Sequence, residues 1–469
     1  MAALLVALSG FVAAMLFVLG LKRMSSPVTA PHGIVLAGLG MLLAVIASFG
    51  YLADVDQAAR PHLATNVGLA VLALALGGIV AWRSGRKVAV TGMPQMVALY
   101  NGMGGGSAAA LAAVELLRGS GTGSSLHLTV TALGALIGSI SLSGSIVAWA
   151  KLDGRINKPW RFSGQRALNG VVFACALAIG VFLVVSPSVS IVWPILFFVA
   201  ALTFGILMTL PIGGADMPVV ISLYNAFTGL AVGLEGFALH NPALMIAGMV
   251  VGSAGTLLTF MMARAMNRSL SNVLFSNFGE SAASGDVEVA GRMTSVEPAD
   301  AAVSMRYASS VIIVPGYGLA VAQAQARLYE LVKLLQAADV DVKFAIHPVA
   351  GRMPGHMNVL LAEAGVPYDL IFDMEDINDS FAATDVALVI GANDVVNPAA
   401  RTDKSSPIYG MPILDVDKAH QAYVIKRGQG KGYAGVENLL FYQDNCDMVY
   451  GDAQAVLTKM VQAIKDLGA

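Results

Sequence analysis

From Met1 to Arg264 the chain is a succession of apolar runs separated by short polar connections, and this feature leaves few folds open. A helix needs about 20 apolar residues to cross about 30 Å of hydrocarbon. Nine stretches qualify, at roughly 2–21, 33–53, 62–82, 89–114, 128–150, 167–185, 190–210, 216–238 and 242–263. Hydrophobic residues make up 56% of the chain and charged residues 12%, whereas soluble proteins carry roughly 25% charged residues. The deficit is confined to this first part, because Glu280 to Ala469 has an ordinary charge mix. No basic segment precedes the first run, and Lys22 and Arg23 follow it, so it reads as a span rather than a cleaved signal.

Charge sorts the connections. Lys22/Arg23, Arg83/Arg86/Lys87, Lys151/Arg155/Lys158/Arg161 and Arg264/Arg268 fall on alternate ones, and only the short Leu210–Asp216 connection on that side lacks a basic residue. The opposite side holds Asp54, Asp56 and Arg60, then Glu115 and Arg118, the uncharged Ser186–Ser190, and Glu235. The positive-inside rule therefore predicts an external N-terminus and a cytoplasmic C-terminus, as an odd number of spans also requires. A net charge of −2 with no basic stripe argues against a nucleic-acid partner. Two cysteines, Cys175 and Cys446, do not make a disulfide framework and suit a reducing compartment. No metal site is expected.

The apolar part repeats itself. Met93-Pro94-Gln95-Met96-Val97-Ala98-Leu99-Tyr100-Asn101 is echoed by Met217-Pro218-Val219-Val220-Ile221-Ser222-Leu223-Tyr224-Asn225, and Gly138-Ser139 more loosely by Gly252-Ser253. Matched helices in two halves are a way of building a midplane site. Asn101 and Asn225 need hydrogen-bonding partners in hydrocarbon, so both are expected to face the interior, either as interhelical glue or beside a hydrated path. Gly102, Gly104, Gly105 and Gly106 permit close helix approach or a local break. An amide cannot titrate, and no His, Asp, Glu or Lys falls mid-span, so any titrating group on a proton path is expected from another subunit.

Three segments are expected: a transmembrane domain over 1–265, a polar linker over 266–299 and a soluble domain over 300–469. In the last, apolar strands at Ser310–Pro315, Asp341–Ile346, Tyr368–Phe372, Val386–Ile390, Ala422–Ile425 and Leu439–Tyr442 alternate with helices at Gly318–Ala338 and about Met357–Ala364. The alternation predicts an α/β doubly wound, Rossmann-like parallel sheet. The first strand runs into Pro315-Gly316-Tyr317-Gly318-Leu319-Ala320-Val321. There Gly316 would allow the tight turn, Gly318 the approach of a pyrophosphate, and Val321 stands in the third glycine's place. The helix start adds unpaired N–H groups and about half a positive charge. An ordinary strand-to-helix turn is the plainer reading. The second strand ends at His347-Pro348 and Arg352 rather than at an acidic residue, which favours a cofactor with a 2′-phosphate. Arg352 and the Lys426/Arg427 pair both qualify as its clamp. A Lys-Arg pair is more often a solvated surface.

Taken together, Gly213-Gly214-Ala215-Asp216-Met217-Pro218, Pro315-Gly316-Tyr317-Gly318, His347-Pro348-Val349-Ala350-Gly351-Arg352, Pro354-Gly355-His356-Met357-Asn358, Gly391-Ala392-Asn393-Asp394 and Gly432-Tyr433-Ala434-Gly435 closely resemble the beta subunits of proton-translocating NAD(P)+ transhydrogenases. The resemblance covers essentially the whole chain. It implies an enzyme of the Si-Re/B-A type: hydride passes from NADH to NADP+ while a proton moves inward across a bacterial inner membrane. It implies NADP(H) on this chain in a flipped orientation, with Lys426 and Arg427 at the 2′-phosphate. Gly316, Tyr317, Gly318, Ala320, Val321, Arg352, Gly391, Asn393 and Asp394 would line the rest, with Gly432 and Tyr433 in a lid. Asp216 would lie where the domains communicate, and Asn101 and Asn225 beside the proton path. Asp216 also reads simply as a helix N-cap before Met217-Pro218. Some members of that family carry a histidine where this chain has Asn101, so a proton-carrying role does not transfer to that position.

A single nucleotide fingerprint implies half an enzyme, with NAD(H) and further spans on an alpha subunit, in a homodimer of alpha–beta units. No side chain need act as a general base, because the cofactors carry the chemistry. The competing expectation is a secondary transporter or channel whose Rossmann domain senses a nucleotide.

Overall fold

The computed structural model describes residues 2–26, 28–50, 62–118, 124–156, 159–186, 190–213, 216–267, 269–275, 292–404, 406, 408–428, 430, 432 and 434–468. They form two compact units, Met1–Pro211 with Val220–Thr259, and Ile212–Val219 with Phe260–Ala469. Asp54, Asp56, Arg60, Lys158 and Arg268, invoked above for orientation, lie outside the described residues.

The apolar part folds into long helices: α1 (Ala2–Met24), α2 (Ala30–Gly50), α3 (Leu63–Lys87), α4 (Met93–Arg118), α5 (Ser125–Leu152), α6 (Gln165–Val185), α7 (Val192–Thr209), α8 (Met217–Ala238) and α9 (Pro242–Ala265). Among the described residues, eight of them are long and apolar enough to cross a bilayer. The ninth, α4, has 26 residues, but Gln95, Asn101, Glu115 and its glycines dilute its hydropathy. Large apolar side chains such as Leu69, Val80, Trp82, Val181 and Leu257 stand on the outside, where hydrocarbon rather than water suits them.

Glycines set the closest helix contacts. A Cβ on Gly105 of α4 would stand 2.9 Å from Gly138 O on α5, and one on Gly138 would stand 2.6 Å from Gly105 O. On α8, a Cβ on Gly229 would run into the backbone of Gly252 on α9. Gly105 follows Asn101 by four residues, as Gly229 follows Asn225, so the repeat is structural: each motif helix meets the next at one equivalent glycine pair. Helix α4 is continuous, so its glycines serve close approach and not a break. One expectation is overturned. Glu235 does not sit on a connection; it lies within α8 with its side chain 1% exposed, beside Gly134 of α5.

After a short helix α10 (Leu270–Phe275), the second unit builds a sheet from β1 (Thr294–Ser295), β2 (Ser310–Pro315), β3 (Asp341–Ile346), β4 (Ile371–Asp373), β5 (Val386–Ile390), β6 (Gln421–Lys426) and β7 (Cys446–Tyr450). All pairings are parallel, in the order β1-β7-β6-β5-β2-β3-β4. Without the two-residue β1, this is the dinucleotide-fold order, reversing direction between β2 and β5. β5 is buried along its whole length and β2 from Val311 onward, as crossover helices on the faces of a parallel sheet require. The helices are α11 (Pro298–Arg306), α12 (Tyr317–Val321), α13 (Gln325–Gln336), α14 (His356–Glu363), α15 (Met374–Ile377), α16 (Ala399–Thr402) and α17 (Ala453–Asp466).

The expected helix over 318–338 is two helices. Gln323 takes φ 51°, its N–H bonds Ala320 O, and the N–H of Ala324 bonds Leu319 O, which closes α12 with a Schellman arrangement. The expected strand at Leu439–Tyr442 is a 3-10 turn capped by the Asn438 side chain, with Leu440 and Phe441 buried, and β7 takes the place beside β6. Tyr368–Phe372 is a 3-10 turn leading into β4. At the end of β3, His347 is buried; its Nδ1 accepts from Val349 N–H at 3.2 Å, so its Nε2 donates to Pro412 O at 2.8 Å. Burial is the main cause that lowers its pKa to about 4, against a smaller opposing effect of the Pro412 bond.

Two outcomes are expected. A non-glycine residue in the left-handed region costs about 1 kcal/mol, so Gln323→Gly should raise the thermal midpoint of the purified chain, and a lower midpoint would refute the strain. Because the folded pKa of His347 lies below the unfolded value of roughly 6.5, the unfolded state binds the proton first. Stability should therefore fall as the pH drops from about 6.5 towards 4, by up to about 3 kcal/mol. His347→Gln should flatten that part of the pH–stability curve, and superimposable curves would remove His347 as the cause.

Candidate functional site

Because β2, β5 and β6 are adjacent and parallel, the segments that follow them meet along one edge of the sheet. β2 leads into Gly316 and α12, β5 into Gly391-Ala392-Asn393-Asp394, and β6 into Arg427 and a glycine-containing loop. The crevice of an open parallel sheet lies at this edge, where the strand order reverses.

The first two segments touch through backbone. Gly316 N–H donates to Ile390 O at 2.8 Å and Gly318 N–H to Gly391 O at 3.0 Å. A Cβ on Gly318 would lie 2.6 Å from Gly391 Cα, and one on Gly316 would strike Gly391 O. The sequence assigns Gly316 to a tight turn and Gly318 to a pyrophosphate, but Gly316 has extended backbone at φ −133°. Both are glycine because the β5 turn fills their Cβ positions. The left-handed residue is Gly391, at φ 69°. Since α12 has only five residues, the dipole expected of a long helix is not assembled here. Ala320 is buried, and Val321, expected in the third glycine's place, is 43% exposed.

Beside this turn the Arg352 guanidinium lies 4.4 Å from the Tyr317 ring centroid, a cation–π arrangement, and the Tyr317 and His356 rings meet tilted at 59° with centroids 5.9 Å apart. The Arg352 backbone N–H donates to His356 Nδ1 at 3.1 Å. Burial first, and then the Arg352 charge, hold His356 below its ordinary pKa, so the ring is neutral with its proton on Nε2. The Arg352 guanidinium thus lies on the Tyr317 ring while its backbone is held by the His356 imidazole.

Asp394 and Asn393 anchor the loop that follows β6. Ala434 N–H donates to Asp394 Oδ2 at 3.0 Å, and the Asn438 amide donates to Asn393 O at 3.0 Å and to its Oδ1 at 2.9 Å. Gly432 has no room for a Cβ because Asp394 Oδ1 occupies the place. Burial pushes the Asp394 carboxyl up, while the Ala434 bond and the Lys426 charge pull it down. Lys426 donates to Gly430 O at 2.5 Å and lies 4.6 Å from the Phe441 ring centroid. Burial lowers its pKa, with Glu437 and Asp394 opposing. Arg427 is exposed and, among the described residues, makes no hydrogen bond or ion pair. Tyr433 lies outside the described residues. Asn438 and Phe441 escape sequence reading because an isolated Asn and a short apolar run carry no period.

In the helical unit the Asn101 amide reaches Ile221 O at 3.4 Å, and Thr228 Oγ1 donates to Asn101 O at 2.9 Å. Ser141 and Thr228 hydroxyls share a bond of 2.7 Å, and Tyr224 and Thr209 one of 2.5 Å. Asn101 therefore meets the interior expectation. Asn225 is half-buried, and its side chain makes no hydrogen bond among the described residues. Asp216 is buried immediately before α8, with its N–H on Gly213 O at 3.3 Å; Gly214 and Ala215 lie outside the described residues.

Comparison with known proteins agrees with this architecture. A curated sequence named NAD(P) transhydrogenase subunit beta, from Rhodospirillum rubrum, is 44% identical over 464 residues, covering 97% of this chain and 97% of that protein. A second sequence of that name, from a designated strain of the same species, matches with the same identity and coverage. The correspondence does not favour a transporter with a nucleotide sensor. The family model described as "NAD(P) transhydrogenase beta subunit" matches residues 6–463, and the chain belongs to that family.

Proposed function

We propose that this chain is the membrane-anchored, NADP(H)-binding subunit of a proton-translocating transhydrogenase, working with an alpha subunit that holds NAD(H). Family membership gives the nicotinamide-nucleotide oxidoreductase and the existence of a partner subunit. The division of cofactors rests on one observation: a half-buried Lys426 beside an exposed, uncompensated Arg427 at the end of β6, on the same sheet edge as the Gly316–Gly391 contact. Two adjacent cations suit a dianionic 2′-phosphate, because charge-assisted bonds to phosphate are among the strongest available.

The remaining residues fit the rest of a dinucleotide. Gly316, Tyr317, Gly318, Ala320 and Val321 give a turn whose glycines pack against Gly391, and Arg352 on the Tyr317 ring supplies a third cation. Gly391, Asn393 and Asp394, tied to the segment with Gly432, Ala434 and Asn438, form a strap whose release or closure would govern exchange. Tyr433 belongs to that strap by sequence. The nicotinamide of the bound cofactor supplies the hydride-transfer chemistry. The chain's own work is to bind, orient, exclude water and gate the approach of the partner's nucleotide to about 3–3.5 Å.

We place the helices as nine spans in a bacterial inner membrane, with the N-terminus periplasmic and residues from about 300 cytoplasmic. The assembly is a homodimer of alpha–beta units. Asn101, Asn225 and Asp216 lie on the route by which proton movement biases the strap. Each charge moved is worth about 2.3 kcal/mol per 100 mV.

Lys426→Ala combined with Arg427→Ala should weaken NADPH binding to the full chain by roughly tenfold to a hundredfold while changing NADH binding little. Equal losses for both nucleotides, measured by calorimetric titration, would defeat the assignment. Asn225→Leu should slow proton movement in the reconstituted complex and leave NADPH affinity unchanged; normal pumping would take Asn225 off the route.

A further inference from the structure

The helical unit contains a titratable cluster that the sequence does not bring together. Glu235 is 1% exposed in α8. Among the described residues, neither of its carboxyl oxygens has a hydrogen-bond partner. The group fits a notch in α5: a Cβ on Gly134 would stand 3.2 Å from Glu235 Cδ and would strike its Oε1. An uncompensated carboxyl in such a place is expensive and marks function more often than packing.

Two further titratable groups stand at the same end of the bundle. Glu115, three residues before the end of α4, and His127, the third residue of α5, approach to 3.7 Å, and both are partly exposed. Glu115 is within electrostatic reach of Glu235. Seven residues separate His127 from Gly134, about 10 Å or two helical turns along α5. Two turns further along α8 from Glu235 stands Thr228, bonded to Ser141 and to the Asn101 carbonyl. Exposed titratable pair, buried carboxyl and buried hydroxyl–amide seam therefore follow one another at intervals of about two turns.

The other charged or titratable groups around Glu235 are few. Helix α9, which packs on α8 through Gly236 and Met245, has its one basic residue, Arg264, at the far end. His240 lies in the α8–α9 turn with φ 50°. The Arg118 side chain lies outside the described residues.

We propose that Glu235 is the carboxyl that takes up and releases the translocated proton within this chain, and that the Glu115–His127 pair connects it to the medium at that end of the bundle. In one direction the proton leaves a Glu235 oxygen through intervening water for a ring nitrogen of His127, leaving a carboxylate, and the His127 proton passes to the medium. In the other direction each transfer reverses. The Thr228–Ser141–Asn101 seam, which cannot itself titrate, orients water on the opposite side of Glu235. The inference rests on the transhydrogenase reading and replaces the expectation that the titrating group must come from another subunit.

The test uses the complete complex with its alpha subunit, reconstituted in vesicles, recording the internal pH change during NADPH-dependent reduction of an NAD+ analogue, together with NADPH affinity. Glu235→Gln should keep NADPH affinity and lose translocation by roughly a hundredfold, the scale of a lost proton-transfer group. Glu235→Asp should retain partial translocation, with its pH profile displaced by about 0.4 unit towards acid, the intrinsic difference between the two acids. Gly134→Ala, which fills the notch, should also slow translocation. Translocation by Glu235→Gln within about twofold of wild type overturns the proposal. Where that variant does not assemble, Glu235→Asp decides alone, and a wild-type rate and pH profile overturn it. A wild-type complex that transfers hydride but builds no pH gradient instead removes the proton-translocating reading, which separates the two failures.

Discussion

Backbone meets backbone at several places in this protein, and each contact exists only because a Cβ is missing from it. In the helical unit the contacts are Gly105 with Gly138 and Gly229 with Gly252. In the sheet unit they are Gly316 and Gly318 with Gly391. With 50 glycines in 469 residues, the chain can place such contacts where close approach has a consequence. Between helices, the missing Cβ of Gly104 on α4 leaves room for Thr228 of α8, whose hydroxyl bonds Ser141 of α5. At the sheet edge close approach holds the β2 and β5 ends together, where the crevice of an open parallel sheet lies. Side chains larger than hydrogen at these positions would separate the elements and, with them, the polar groups they carry.

Electrostatics then divides the molecule. Outside the membrane part, opposite charges meet locally: Asp394 accepts from the Ala434 N–H and feels the Lys426 charge, and Arg401 pairs with both Asp415 and Asp417. Arg427 is an exposed cation whose side chain has no such partner among the described residues. In the helical unit, the Tyr224–Thr209 and Ser141–Thr228–Asn101 bonds link α4, α5, α7 and α8, while Glu235 is held by space rather than by donors. In the function proposed above, a mobile ligand supplies the partner that these two groups lack, phosphate at Arg427 and a proton at Glu235.

Much of the candidate site was legible from residue order. Pro315-Gly316-Tyr317-Gly318 after an apolar strand, Gly391-Ala392-Asn393-Asp394 after another and Lys426-Arg427 after a third are local strings, and parallel strand pairing carries them to one edge whatever the details of packing. The reasons for the glycines were not legible, since Gly316 and Gly318 answer to Gly391, some seventy residues away in sequence. Likewise Leu439–Tyr442 has the composition of a strand, but capping by Asn438 and burial of Leu440 and Phe441 make it a turn. Gln323 carries no signal of the left-handed conformation that ends α12.

What the sequence determined by itself was set by periodicity and solvent: runs long enough to span hydrocarbon must be helices, and alternating strands and helices of this length must form a parallel sheet. These are properties of contiguous segments, and they hold whichever neighbours the segments acquire. Tertiary structure alone decided which side chains face one another. Glu235 reads along the chain as a charge near the end of a span; only the packing of α8 on α5, with a notch at Gly134, turns it into a buried carboxyl near Glu115 and His127. Burial and proximity are sums over distant residues, and no local window contains them.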